Sequence, residues 1–186
     1  MEATFVLAQP QTLAEFLEWE SVDGNKYEWF DGQLVQFEKM KKKHLYLIRR
    51  LNRLFATTNA YQQGGELIAE QDVLLTPRQM RRPDLAYFSN EQIDNSPRIE
   101  VEPIPAFAVE VISPTDDVED VETKLVEYFK AGVRVVWHIY LENQAVYVYT
   151  SRRQVAIYIE DDLCSAAPVL PDFTIRVTEL FALPEA

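Results

Sequence analysis

One apolar segment with a carboxylate inside it constrains the fold more than any other feature. Residues 106–112 read Ala-Phe-Ala-Val-Glu-Val-Ile, and all but Glu110 are apolar. A strand that is apolar at successive positions is typical of the centre of a sheet covered on both faces. An ionised carboxylate there is costly unless it is paired or binds a metal ion. Glu110 is therefore a satisfied core ion pair, an edge residue that reaches water, or part of a functional site.

The remaining patterns predict more strands than helices. Two β-rich runs around Asp31-Gly32 predict a tight hairpin, and a capping-box pattern at residues 12–15 opens a short helix. Helical periodicity covers about residues 41–59 and 117–130. Other strands are predicted at 66–69, 72–75, 84–89, 107–113, 134–140, 145–150, 153–160 and 173–177. Because strands and helices do not strictly alternate, we predict an α+β fold: a mixed sheet flanked by helices, with additional antiparallel hairpins.

Composition excludes several classes of protein. The 186 residues are 47% hydrophobic and 12% aromatic, which suits a single domain over 1–186 with its own core and not a disordered chain. The longest runs without a charge, 3–14 and 54–65, are shorter than the ~18–20 residues of a membrane span. The five glycines form neither a P-loop nor a dinucleotide fingerprint, and one cysteine with two histidines argues against a zinc cluster. We expect a cytoplasmic protein without membrane contact.

Charge is distributed unevenly along the chain. The formal net charge is −12, yet residues 39–82 carry ten basic and three acidic side chains. This segment is either a solvated basic face, the commoner case, or a surface for a polyanion. The candidate nucleic-acid contacts within it are Lys41, Lys42, Lys43, Arg49, Arg53, Arg81 and Arg82.

A second carboxylate accompanies Glu110. Asp84 opens the predicted strand 84–89, and if that strand pairs antiparallel with 107–112, its start lies beside the end of the other. Two neighbouring carboxylates repel each other, and a divalent cation would relieve that repulsion. One or two carboxylates, waters and substrate phosphate oxygens are the usual ligands of Mg²⁺.

Three further polar residues are candidates for catalysis. Lys124 borders the apolar stripe of the second long helix, so its stem would bring the ammonium near the end of the Glu110 strand, unless it is paired with a surface acid such as Glu127. His44 lies on the apolar side of the first long helix, where a hydrogen-bonded core histidine is the commoner case. Glu28 alternates with aromatic residues in the hairpin and is equally ambiguous.

Taken in order, the motifs of residues 11–140 resemble those of the Uma-type putative restriction endonucleases, bacterial proteins assigned to the PD-(D/E)XK nuclease superfamily. The motifs are Thr12-Leu13-Ala14-Glu15-Phe16-Leu17, Tyr27-Glu28, Asp31-Gly32, His44 ahead of a leucine-rich helix, Arg82-Pro83-Asp84, Val109-Glu110-Val111-Ile112-Ser113-Pro114, Glu122-Thr123-Lys124-Leu125, Tyr128 and Ala131-Gly132-Val133.

The resemblance implies a restriction-endonuclease-like fold and a metal site. Asp84 would be the aspartate of the motif and Glu110 its second acid, and both would hold Mg²⁺ with the backbone carbonyl of Val111. The lysine of the motif would fall at Ile112, so the chain departs from the pattern there. In the Uma-type branch the lysine is thought to have moved to the following helix, where Lys124 fits.

These implications lead to one hypothesis and two alternatives. The hypothesis is a Mg²⁺-dependent endonuclease, with Mn²⁺ as a substitute metal, that hydrolyses phosphodiester bonds of nucleic acid. DNA is the favoured substrate and a homodimer is plausible. One alternative is an inactive module that binds nucleic acid without cutting it. The other is an acidic interaction domain that never meets nucleic acid, which the net charge favours.

Overall fold

A mixed sheet with helices on both faces forms the centre of the protein. The computed structural model describes residues 9–21, 26–30, 32–37, 42–98 and 103–183. Its helices are α1 (Leu13–Leu17), α2 (Lys42–Phe55), α3 (Asn59–Gln62), α4 (Asn90–Asn95), α5 (Val118–Ala131) and α6 (Val177–Phe181), with a 3₁₀ turn at Ser96–Arg98. Its strands are β1 (Lys26–Phe30), β2 (Gln33–Phe37), β3 (Glu66–Ala69), β4 (Val73–Thr76), β5 (Gln79–Arg81), β6 (Leu85–Phe88), β7 (Phe107–Ile112), β8 (Val135–Tyr140), β9 (Ala145–Ser151), β10 (Gln154–Ile159), β11 (Leu163–Ala166) and β12 (Leu170–Arg176).

The order of the strands is that of a mixed sheet with added hairpins. Within the described residues, six strands pair in the order β10-β9-β8-β7-β6-β3, four in the order β2-β1-β5-β4, and β11 pairs with β12. β7 and β8 run parallel, and the other pairs of the large sheet are antiparallel. The α+β prediction is confirmed, because helix α5 connects the one parallel pair while hairpins connect most of the rest.

Strand β7 is buried on both faces, as its sequence predicts. Phe107, Val109 and Val111 face a core formed with α2, α6 and the β11–β12 hairpin. Ala108 faces a second core formed with α5 and β4. Glu110 shares the parity of Ala108 and so lies on the side of the sheet that α5 covers.

Local signals set the ends of α5. The carboxylate of Asp117 accepts hydrogen bonds from the backbone N–H groups of Glu119 and Asp120, which caps the amino end. Gly132 ends the helix in the left-handed conformation with φ 112°, which only glycine adopts without strain.

Several predicted boundaries were wrong. The first long helix ends at Phe55 and not near residue 59, because the hydroxyl of Thr58 caps a separate short helix, α3, by accepting from the N–H of Tyr61. The sequence patterns also missed β5, β11 and α4. Within the described residues, no helix is long and apolar enough to cross a membrane.

Candidate active site

The two predicted carboxylates lie side by side. β6 pairs antiparallel with β7 and Leu85 is opposite Val109, so Asp84 lies opposite Glu110 at the next step of the register. The Oδ2 atom of Asp84 accepts a hydrogen bond of 2.6 Å from the backbone N–H of Val111. The antiparallel pairing expected from the sequence is therefore what brings the two acids together.

Glu110 is almost completely removed from water. Its side chain is 8% exposed, and the hydroxyl of Tyr128 on α5 donates a hydrogen bond to its Oε1 atom. Burial raises the pKa of Glu110 to about 8, with Asp84 and Glu28 acting in the same direction and Lys124 against it. The low dielectric around the carboxyl makes its charged form costly, so a cation that shares the site would favour ionisation of Glu110.

Asp84 is perturbed in the same direction. Desolvation raises the pKa of Asp84 to about 6, although the N–H of Val111 and the charge of Lys124 favour the ionised form. Two adjacent carboxyls with raised pKa values are a frequent feature of functional sites. The pair is chemically suited to sharing a proton or a cation.

Lys124 reaches the site from α5. Its Nζ atom lies 3.1 Å from Oε2 of Glu28 and 3.8 Å from Oδ2 of Asp120. Burial opposes the charge, but the carboxylates of Glu110, Glu28 and Asp120 outweigh it and raise the pKa of Lys124, which keeps the ammonium protonated. The sequence left open a pair with a surface acid such as Glu127; Asp120 takes that place, and Glu127 binds Arg81.

Glu28 is more central than the sequence suggests. Its side chain is 2% exposed and accepts from the guanidinium of Arg81 at 3.1 Å and from the backbone N–H of Arg82 at 3.0 Å. Since it also contacts Lys124, this hairpin residue holds the ammonium on the side of α5 that faces the sheet. Glu28 stays a candidate catalytic residue, and its contacts favour a role in positioning Lys124.

The structure corrects the role expected for Arg81. Its side chain is 0% exposed and forms ion pairs with Glu28, Glu127 and Asp120. A guanidinium buried in this way cannot contact a nucleic acid on the surface. Arg82 is 22% exposed and binds Asp72 through two hydrogen bonds of 2.6 and 2.9 Å.

Two of the predicted basic contacts, Arg49 and Arg53, lie away from Glu110. Arg49 and Arg53 are exposed on α2, which packs on the opposite face of the sheet from α5. His44 is buried in the first turn of the same helix. Lys41 lies outside the described residues, as do the side chains of Lys42 and Lys43.

Sequence reasoning missed His138. It is the residue opposite Glu110 in the parallel pairing of β7 and β8, and its side chain is 1% exposed. Burial lowers the pKa of His138 to about 4, assisted by the charge of Lys124, so the imidazole is neutral at pH 7. Neither ring nitrogen has a hydrogen-bond partner within the described residues. Only the register of β8 against β7 reveals this neighbour.

The side chains present fit a hard divalent cation better than a transition metal. Within the described ranges, no group of three or more His, Cys, Asp and Glu side chains is arranged to hold a metal ion. Asp84 and Glu110 offer carboxylate oxygens, and the backbone of Val111 contacts Asp84 through its N–H group. Mg²⁺ is commonly held by such a small protein set and completes its shell with water and phosphate.

Comparison with known proteins agrees with this geometry. A family model described as Uma2, putative restriction endonuclease, matches residues 13–178. The chain belongs to the Uma2 family. The sequence resemblance is thereby confirmed, and membership supports its description as a putative nuclease. No curated protein matches the chain.

A solved structure shares the fold of this Uma2 protein. It is a putative nuclease belonging to DUF820 from Anabaena variabilis, with a TM-score of 0.78 and 22% sequence identity. The match covers 92% of this chain and 98% of that one. The restriction-endonuclease-like architecture expected from the sequence therefore has a counterpart along nearly the whole chain.

Proposed function

We propose that this Uma2 protein is a metal-dependent endonuclease that hydrolyses phosphodiester bonds, with DNA as its favoured substrate. The observation that carries the proposal is the Asp84–Glu110 pair, which the β6–β7 register brings together beside the protonated Lys124. Family membership supports the same reaction class.

Asp84, Glu110 and the carbonyl of Val111 would hold Mg²⁺, or Mn²⁺ in its place. When bound, such an ion polarises a phosphate and lowers the pKa of a water ligand. Val111 donates its N–H to Asp84, which orients that carboxylate before any ligand arrives. Tyr128 orients the carboxyl of Glu110 in the same way from the other side.

Lys124 would stabilise the negative charge that develops on the phosphoryl oxygens. Glu28 and Asp120 keep its ammonium protonated and limit its position. His44 stays a candidate for a supporting role, and the basic side chains of α2 stay candidates for contacts with the nucleic-acid backbone.

Calorimetry with matched variants tests the metal site. Mn²⁺ and Mg²⁺ are titrated into wild type, Glu110→Gln, Asp84→Asn and a control, Glu142→Gln, whose carboxylate is exposed in the β8–β9 turn. We expect saturable binding in wild type and control and its loss in the two site variants. A short duplex is added in a second series, because substrate phosphate can complete a two-carboxylate site.

Cleavage of duplex DNA, single-stranded DNA and RNA is then measured on the same four proteins. We expect metal-dependent products from wild type and Glu142→Gln alone. Full activity of Glu110→Gln or Asp84→Asn, with circular dichroism showing a folded protein, would contradict the assignment.

The alternative is an inactive nuclease-fold module that binds nucleic acid or a protein. The ion pairs that Lys124 makes with Glu28 and Asp120 favour it, because they engage the ammonium before any substrate is present. Nucleic-acid binding that is equally strong in EDTA and in Mg²⁺, without cleavage, would support this alternative.

A further inference from the structure

The outer edge of the large sheet is unusually apolar. β10 forms that edge and, within the described part of the chain, pairs with β9 on one side. Its six residues, Gln-Val-Ala-Ile-Tyr-Ile, include no charge and no proline. Edge strands are normally protected by charged side chains, proline, a bulge or a covering segment, because unpaired edges template further pairing. The pairing with β9 shifts register between Gln154 and Val155, and from Val155 to Ile159 it is regular.

Three large side chains of β10 are exposed on one face. Val155, Ile157 and Ile159 are 49%, 54% and 46% exposed. They alternate along the strand and so lie on the same face of the sheet. This apolar row is not part of either core, and a monomer gains nothing from exposing it.

The backbone of this edge is open at its centre. Ile159 donates its N–H to Oδ2 of Asp162 and accepts the N–H of Asp162 at its carbonyl, so its polar groups point away from β9. Because the direction of these groups alternates along an antiparallel strand, Val155 and Ile157 also direct theirs outward. The turn closes the edge at Ile159 and leaves the segment around Ala156 available for pairing.

Charges of opposite sign flank the apolar row. Arg152 and Arg153 precede β10, and Glu160, Asp161 and Asp162 follow it. An antiparallel copy of the same strand would place its acidic end beside this basic start. The edge is therefore complementary to itself in charge as well as in apolar pattern.

We propose that two copies of the chain associate through β10, which pairs antiparallel with itself about a two-fold axis near Ala156. Val155 then lies opposite Ile157 of the partner subunit, and the β9–β10 turn with Arg152 lies near the turn that follows β10 in the second copy, which carries Glu160. The two large sheets become one continuous sheet, and the apolar rows of both copies meet on one face. A closed two-fold contact uses each edge once, so association stops at the dimer.

The dimer separates the two candidate sites. Seven strand spacings of about 4.8 Å put β7 roughly 34 Å from the β7 of the second copy, and the antiparallel arrangement turns their carboxyl ends in opposite directions. The two sites would thus act independently, so nicked circles would precede linear plasmid. This consequence rests on the proposed nuclease function, whereas the dimer itself does not.

Sedimentation velocity over a range of protein concentrations tests the dimer. We expect wild type to dimerise with increasing concentration and Ile157→Lys to remain a monomer, because the variant replaces the apolar contact at the edge with two like charges close to the axis. The control is Leu17→Lys on α1, where the leucine is 56% exposed, and it should behave as wild type. A monomeric wild type, or dimerisation of Ile157→Lys, would overturn the proposal.

Charge exchange tests the antiparallel register even if Ile157→Lys fails to fold. Arg152→Glu and Glu160→Arg should each weaken the dimer by about threefold to tenfold, and the double variant should restore it. In addition, Ala156→Cys lies opposite itself and should form an intersubunit disulfide under mild oxidation, whereas Gln154→Cys should not. A double variant that is no tighter than the single ones would contradict the pairing.

Discussion

The protonation state of Glu110 links the candidate site to the pH dependence of the protein. Burial on the α5 side of the sheet raises the pKa of this carboxyl to about 8. At neutral pH, without a cation, the group is mainly protonated and Tyr128 is its hydrogen-bond partner. The pH dependence of both stability and metal binding therefore carries a signature of Glu110.

The first prediction concerns stability. A carboxyl whose pKa rises from 4.5 to about 8 on folding stabilises the protein fully below pH 4.5, and this stabilisation is lost as pH rises through 8. Glu110→Gln removes the titration. In EDTA, its free energy of unfolding should exceed that of wild type above pH 8 by a few kcal/mol and approach it below pH 4.5. Urea denaturation measures the difference, and Glu142→Gln should show no such trend.

The second prediction concerns metal affinity. Because the ligands must be ionised, binding of Mn²⁺ should release protons and should strengthen as pH rises from about 6, near the pKa of Asp84, to about 8, near the pKa of Glu110. Calorimetry in buffers of different ionisation enthalpy measures the protons released. An affinity that is constant over this range would contradict the assignment of these two ligands.

At the scale of elements, buried ion pairs join the four-stranded sheet to helix α5, which covers the candidate site. Arg81 of β5 binds Glu28 of β1 and Glu127 of α5, and Glu28 in turn contacts Lys124. These contacts connect β1, β5 and α5, which are far apart along the chain. The position of Lys124 therefore depends on a residue of β1 that is 96 positions away in the sequence.

The third prediction compares two adjacent arginines. Arg81→Gln leaves the carboxylate of Glu127 buried without the guanidinium that pairs with it, and leaves Glu28 with Lys124 but without Arg81, so it should cost about 3–5 kcal/mol of stability. Arg82→Gln breaks a partly exposed pair with Asp72 and should cost no more than about 1 kcal/mol. Chemical denaturation measures both. Equal losses would show that the Arg81 contacts are not energetically distinct from a surface pair.

For the molecule as a whole, the exposed basic side chains of α2 and the candidate active site lie on different faces of the large sheet. The exposed arginines of α2 are on the opposite face of the sheet from α5 and Glu110, although the net charge of the chain is −12. A nucleic acid that reaches both regions would have to pass an edge of the sheet. The single-domain assignment and the cytoplasmic location stay predictions.

The fourth prediction concerns this basic face. If Arg49 and Arg53 contact phosphates, each change to Gln should reduce the slope of log affinity against log salt by about 1 and weaken binding similarly for all sequences. Fluorescence anisotropy with a labelled duplex measures the slope. Arg98→Gln, on the 3₁₀ turn, is the control. Unchanged slopes for Arg49→Gln and Arg53→Gln would remove α2 from the proposed interface.

Signals that are local in sequence predicted their elements well. The helical periodicity of residues 117–130 and the apolar run of residues 106–112 can each be recognised within a few residues, and they predicted α5 and β7. β5 has no such signal. It is a three-residue strand with Arg81 at its end, and it exists because β1 and β4 supply partners on either side.

The sequence by itself determined that an acid must be accommodated inside a buried strand, that Asp84 opens a predicted strand, and that Lys124 borders the apolar stripe of a helix. Only the tertiary structure decided their partners: Tyr128 and His138 beside Glu110, Glu28 beside Lys124, and a buried place for Arg81. The physical reason is that the immediate neighbours along the chain show that a charge will be buried, and hence that it is costly. The group that compensates for that charge comes from another strand or helix, and no local pattern specifies how that element is placed.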